Sequence, residues 1–199
     1  EVSVISDEIW SDIILKGHRH IPMQSATPYL HENTVALYAP SKTFNLARLI
    51  GSYHIIYNGR LHDRVMKESS LCHYNSMNVL SMYALIGAYK PEGYVWVDEL
   101  CEVLRGNVDY AYDFITGHFE GVKLSKPQGT YMLYLDCSEW LKAHGMTCSE
   151  LIRKGYEVGV YWQDGRPFHS PDSIRMNLAV PYSRILEAFD RLDQYVFNA

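Results

Sequence analysis

Asp7, Lys42 and Arg175 are the residues of this chain whose types and placement could do chemistry together. Asp7 follows the apolar stretch "VSVIS", Lys42 follows "TVALYA" across Pro40, and Arg175 lies inside "IRMNLAV". In open α/β sheets ligands bind beyond the carboxyl ends of strands, and Asp7 and Lys42 both stand at such ends. A lysine held against apolar walls has its ammonium form disfavoured, so a neutral amine becomes accessible and can form a Schiff base with an aldehyde. Pyridoxal phosphate (PLP) is an aldehyde that needs such a lysine, together with a carboxylate that keeps its ring nitrogen protonated. An arginine facing the same cavity could hold a substrate carboxylate through two parallel hydrogen bonds. The same residue types also fit blander roles: a snorkelling lysine, an aspartate in a turn or helix cap, and an arginine in a surface ion pair.

Three apolar runs rich in Val, Ile and Tyr predict the strands that must position these groups, over 2–6, 34–39 and 51–57. The first alternates from Val2 and Val4 onward, with no initiator methionine before it, and predicts a strand with neighbours on both sides in part of a longer protein. Residues 14–25 read as a loop punctuated by Gly17 and Pro22, and a helical patch is expected just after Lys42. Helical spacing follows over 60–73 and 76–90, with Met77, Leu80, Tyr83 and Ala84 on one face of the second helix, and "KPEGY" at 90–94 breaks it. A long helix over 95–119 is predicted from Leu100, Leu104, Val108, Ala111 and Ile115. At ~25 residues it would span roughly 37 Å, enough to tie two domains together.

The remaining residues have an α+β texture. Strands are predicted over 122–124, 130–135 and 173–180. Two short helices open on capping-box patterns, Asp136 with Glu139 and Thr147 with Glu150, and close on Gly145 and Gly155. An amphipathic helix carrying Ile185, Leu186, Phe189, Leu192 and Val196 ends the chain. Tyr131 and Tyr161 read as core or domain-interface groups.

Composition narrows the function classes. Of 199 residues 47% are hydrophobic and 21% charged, as in ordinary globular proteins, and the net charge of −5 argues against nucleic-acid binding. No apolar run approaches the ~18 residues of a membrane span. Cysteines at 72, 101, 137 and 148 form no C-x-x-C pair, which points away from zinc and redox motifs and toward a reduced, intracellular chain. His18 and His20 in "GHRH" lack a further ligand pattern and read as a solvated loop rather than a metal site. No nucleophile elbow, P-loop or G-x-G-x-x-G is present.

The stretches "VISDEIWSDI", "APSKTFNLARLIGSYHII" and "SIRMNLAVP" resemble three signatures of the fold-type-I PLP-dependent enzymes. Within them they look most like the cystathionine beta-lyase branch of the class I/II aminotransferase family. "QDGRPFHSPDSIRMNLAVPYSRI" and "KPQGTYMLYLD" carry the likeness onward, so it covers essentially the whole chain but only the C-terminal half of such an enzyme. The resemblance implies an α/β fold. Residues 1–109 would be the later part of a large PLP-holding domain with a mixed, mostly parallel sheet, and residues 110–199 a small α+β domain. It implies that Lys42 bonds the cofactor and moves the α proton, that Asp7 partners the pyridine nitrogen, and that Arg175 clamps the substrate carboxylate. Ser41, beside the lysine, would touch the phosphate, and Trp10 stands where many relatives have a tyrosine that bonds the cofactor's phenolic oxygen. An indole donates one hydrogen bond but does not ionise for that purpose. Ala39 replaces a phosphate-binding hydroxyl, Ile50 replaces a phosphate-binding arginine, and Arg48 stands two residues before it.

The activity implied is elimination of a thiol from a sulfur-containing amino acid, giving pyruvate and ammonia, in a cytoplasmic homodimer of amino-acid metabolism with no nucleic-acid or membrane partner. An aminotransferase with the same residues, or a non-catalytic folding or dimerisation fragment, fits the sequence as well. The chain alone is expected to be inactive.

Overall fold

A computed structural model of the chain describes residues 2–72 and 76–198. It divides into two compact units, Glu1–Leu100 and Cys101–Ala199. Among the described residues no helix is long and apolar enough to cross a membrane.

The first unit is built on a three-stranded sheet of order β1 (Val4–Asp7), β2 (Thr34–Tyr38), β3 (Tyr53–Ile55). β1 and β2 are parallel, in register from Val4 opposite Thr34 to Asp7 opposite Leu37, and β3 runs antiparallel to β2. The sheet is mixed, as expected, with one parallel and one antiparallel pairing among the described residues. Asp7 is the last residue of its strand rather than the one after it, and among the described residues β1 pairs with β2 along one edge. The parallel pair needs a crossover, and residues 8–33 supply it with two short helices, α1 (Met23–Ala26) and α2 (Pro28–Asn33). The expected loop over 14–25 therefore ends inside α1. Proline at the start of α2 is preset for a helix, and the Thr27 hydroxyl caps it by accepting from the Leu30 N–H at 3.1 Å. The buried Gln24 amide donates to the carbonyls of Thr34 (3.0 Å) and Ile55 (2.9 Å), fastening β2 to β3.

A single helical turn, α3 (Pro40–Thr43), follows β2 with Pro40 in its first turn. The helical patch expected after Lys42 is this turn, and it contains the lysine. α4 (Gly59–Ser69) is capped by Asn58, and the last position of the helix expected over 60–73 lies outside the described residues. α5 (Val79–Ala88) is capped by Asn78 and inverts the expected face: Leu80 (72%) and Tyr83 (66%) are exposed, whereas Ser81 is buried. This helix is apolar nearly all round, so its periodicity marks no face. α6 (Pro91–His118) starts four residues before the expected Val95. A proline is tolerated in a helix's first turn, so "KPEGY" opens this helix as well as closing the previous one.

The second unit is a four-stranded antiparallel sheet of order β4 (Lys123–Leu124), β5 (Met132–Asp136), β7 (Ser173–Asn177), β6 (Gln163–Asp164). Alternation along β5 and β7 buries Leu133, Leu135, Ile174 and Met176 on one face. α7 (Ser138–His144) ends at Gly145 in the left-handed region, as expected. Its expected capping box is absent: Cys137 holds the cap position without a side-chain bond, and Asp136 ends β5, accepting from the Ser138 N–H at 2.9 Å. α8 (Cys148–Glu157) has the Thr147–Glu150 capping box but runs past Gly155. That glycine is required by packing, since a Cβ there would lie 2.5 Å from the Trp162 ring. α9 (Tyr182–Leu192) continues into a wide turn at Asp193–Phe197, burying Ile185, Phe189, Leu192 and Val196 but leaving Leu186 partly exposed. Tyr161, expected in a core or interface, is exposed within this unit and stacks on Tyr156.

Candidate active site

Because β1 and β2 are parallel, their carboxyl ends share one edge of the sheet, and Asp7 and the turn carrying Lys42 both emerge there. The ladder extends one step past Asp7, where the Glu8 N–H donates to the Leu37 carbonyl at 2.9 Å. Asp7 is exposed, and its carboxylate accepts from the Ile9 N–H at 3.1 Å. Among the described residues it pairs with no cation, so it is available to one.

Trp10 lies on the loop that follows. The half-buried Lys42 extends its ammonium over this indole, 5.3 Å from the ring centroid. That is within the range where an aromatic face attracts a cation. No carboxylate of the described residues is within ion-pair distance of Lys42. Ser41 is half-buried and its carbonyl accepts from the Leu46 N–H at 3.1 Å. Ala39 is buried, while Arg48 is exposed and Ile50 is 80% exposed.

Four polar contacts that spacing did not reveal, one at Thr43 and three at Glu8, hold this edge together. The buried Thr43 hydroxyl donates to Asp12 Oδ2 at 2.9 Å, tying the Lys42 turn to the Trp10 loop. Glu8 is buried directly after Asp7 and takes three partners. Its Oε1 accepts from the Ser6 hydroxyl at 2.8 Å and the Met23 N–H at 3.0 Å, and its Oε2 pairs with His20. Burial pushes the Glu8 carboxyl upward, but the Met23 N–H, Ser6 and His20 together outweigh it and hold the group below the usual carboxylate range. His20 is therefore not the solvated loop residue expected. Beneath the Lys42 turn, Phe44 packs edge-on against Tyr89 and Tyr94, and Tyr53 stacks on Tyr38. Burial pushes the phenols of Tyr89, Tyr38 and Tyr94 up, so these rings stay neutral.

The structure thus brings Asp7, Trp10, Ser41 and Lys42 to one edge of the first unit. Arg175 belongs to the second. It is half-buried in the middle of β7, opposite Tyr134 on β5 and Gln163 on β6. Its Nε donates to Gln163 Oε1 at 2.6 Å, and the guanidinium carbon lies 4.7 Å from the centroid of the Phe168 ring. Among the described residues no group of three His, Cys, Asp or Glu could hold a metal ion.

Comparison with known proteins shows the family of the chain. The chain is 33% identical over 158 residues to cystathionine beta-lyase PatB of Bacillus subtilis, covering 79% of the chain and 40% of that protein. Its fold matches cystalysin of Treponema denticola, whose structure contains a PLP cofactor, with a TM-score of 0.87 at 28% identity, over 98% of this chain and 49% of the other. It also matches the PLP-bound C–S lyase of Staphylococcus hominis, with a TM-score of 0.86 at 27% identity, over 99% of this chain and 50% of the other. The chain spans about half the length of the relatives it matches. Residues 1–192, and with them both the lysine-bearing edge and the arginine strand, match the aminotransferase class I and II family, to which this chain belongs.

Proposed function

We propose that this chain supplies the lysine, ring-facing carboxylate and carboxylate-binding arginine of a PLP-dependent C–S β-lyase. Residues 1–109 would belong to its large domain and 110–199 to its small one, in a cytoplasmic homodimer. The observation that carries the reading is the parallel pairing of β1 and β2. It delivers an amine not paired with any described carboxylate and a carboxylate not paired with any described cation to one sheet edge. That donor set fits PLP, whose aldehyde and basic ring nitrogen need those two groups.

Bound there, PLP would supply an aldehyde for the Lys42 amine and an electron-withdrawing ring that takes up the pair left when the substrate's Cα–H bond breaks. Lys42 takes that proton at Nζ. Asp7 holds the proton on the ring nitrogen through its charge. Arg175 binds the amino acid's carboxylate. The Asp12–Thr43 hydrogen bond sets the Lys42 turn against the Trp10 loop, and Ser41 is the phosphate-facing hydroxyl of that turn. When the Cβ–S bond breaks, the thiolate leaves with the electron pair, and hydrolysis of the three-carbon remainder gives pyruvate and ammonia. The names of the relatives support a sulfur-containing amino acid as substrate.

In the full-length protein, incubation with excess PLP, borohydride reduction and peptide mapping test the assignment. The pyridoxyl group is expected on Lys42 and is lost in Lys42→Ala; a label on another lysine overturns the reading. In the active enzyme, pyruvate and thiol formed from cystathionine without an added keto acid mean lyase. A requirement for a keto acid means aminotransferase.

A further inference from the structure

We propose that Gln163 is a positioning residue. It locks the Arg175 guanidinium so that only its Nη1–Nη2 edge can receive a carboxylate, and, being neutral, it leaves the positive charge uncompensated. This rests on the carboxylate-binding role given to Arg175 above.

A guanidinium offers five N–H donors in a plane, and a carboxylate can dock on the edge formed by Nε and one Nη or on the edge formed by the two Nη groups. Here the first edge is taken, because Nε donates to Gln163 Oε1 at 2.6 Å. One face is covered by Phe168, at 4.7 Å from guanidinium carbon to ring centroid. Phe168 is itself held edge-on by Tyr134, the cross-strand partner of Arg175 on β5. Gln163 is the cross-strand partner on β6, so all three side chains share one face of the sheet. The long arginine side chain is thereby fixed from two directions. Its terminal nitrogens make no hydrogen bond or ion pair among the described residues, and the Tyr131 phenol lies within reach of the guanidinium's charge.

Charge points the same way. The other cation of this corner, Arg166, pairs with Asp164, which accepts both from its backbone N–H at 2.8 Å and from its guanidinium. No described carboxylate pairs with Arg175. A glutamate at 163 would hold Nε as well or better but would cancel the charge the ligand needs. A glutamine orients without neutralising. The ligand class this selects is a carboxylate lying in the guanidinium plane and bound end-on, such as that of an amino acid.

The test uses the whole chain, with acetate as probe and nitrogen-15 spectra of the arginine side chains as readout. In the native protein the Arg175 Nε–H should exchange slowly, and acetate should shift its Nη signals but not Nε. Gln163→Leu should speed Nε–H exchange and let acetate shift Nε as well. Gln163→Glu should preserve the slow Nε–H yet weaken acetate binding about tenfold or more, since a fixed negative charge now sits beside the guanidinium. A merely structural glutamine would leave acetate binding unchanged in Gln163→Glu, and that result overturns the proposal. So does an acetate shift at Nε as large as at Nη in the native chain, or no shift at Arg175 at all. The titration needs no PLP, so failure here is distinguishable from failure of the Lys42 assignment.

Discussion

In residues 101–199 the sheet and helices close over one another. Leu133, Leu135, Ile174, Leu151, Phe189 and Leu192 are sealed from solvent, and Phe189 meets Tyr110, Phe114 and Phe119 in one aromatic cluster. In residues 1–100 the described core is small, with Ile13, Leu15, Val35 and Ala36 at its centre. Val2, Ile5, Leu80, Tyr83 and Ile86 stand exposed. What holds the lysine-bearing edge is polar instead: Gln24 bridging two strands, Thr43 on Asp12, and Glu8 on Ser6, Met23 and His20. The arginine's unit is thus organised by apolar burial, the lysine's unit by a few buried hydrogen bonds. Apolar burial tolerates changes of pH, whereas a buried carboxylate network does not.

Three changes break or sharpen that contrast. Phe189→Ala removes a fully buried ring and should destabilise residues 101–199 by about 3–5 kcal/mol. Urea unfolding followed by amide exchange should show protection lost in β5 and β7 and retained in β2; loss in β2 as well would mean that the two units do not differ in this way. Gly155→Ala should come next. On an open helix surface this change is worth about 1 kcal/mol of added stability. Here the new methyl meets Trp162, so a loss of roughly 1–3 kcal/mol is expected in the same unfolding assay. A gain would show that the indole yields and that this core is looser than its burial suggests. The smallest effect belongs to Glu8. Its carboxyl is held below its ordinary value, so its contribution is fully present above the unfolded carboxylate pKa of ~4.3 and is lost as pH falls through the folded value. Below about pH 4 the native chain should lose order around β1 and α1 more steeply than Glu8→Gln. Equal acid sensitivity in both proteins would relieve Glu8 of that role.

The candidate residues were legible as residue types, while the roles proposed for them came from the resemblance to PLP-dependent enzymes. A lysine and an aspartate at the ends of apolar runs are visible without coordinates, and so is an arginine inside one. The sheet was legible only as strands: that β3 runs antiparallel and that β1 has one described neighbour depend on connections, not on strand composition. His20 looked solvated because nothing within reach in sequence marks Glu8, twelve residues earlier, as its partner.

The sequence alone determined features whose causes lie within a few residues. These include the Thr147–Glu150 box and the left-handed Gly145, the alternation that buries one face of β5 and β7, and the placement of Asp7 and Lys42 at strand ends. Each follows from backbone geometry repeating at two or 3.6 residues, from a cap reaching its own first turn, or from a glycine free to turn left-handed at a helix end. Tertiary structure alone decided that Thr43 reaches Asp12 across 31 residues, that Gln163 takes the Nε of Arg175, that Gly155 makes room for Trp162, and that Ser81 rather than Leu80 turns inward on α5. Partners far apart in the chain leave no period in it, and a helix apolar on every side carries no mark of which side will be covered.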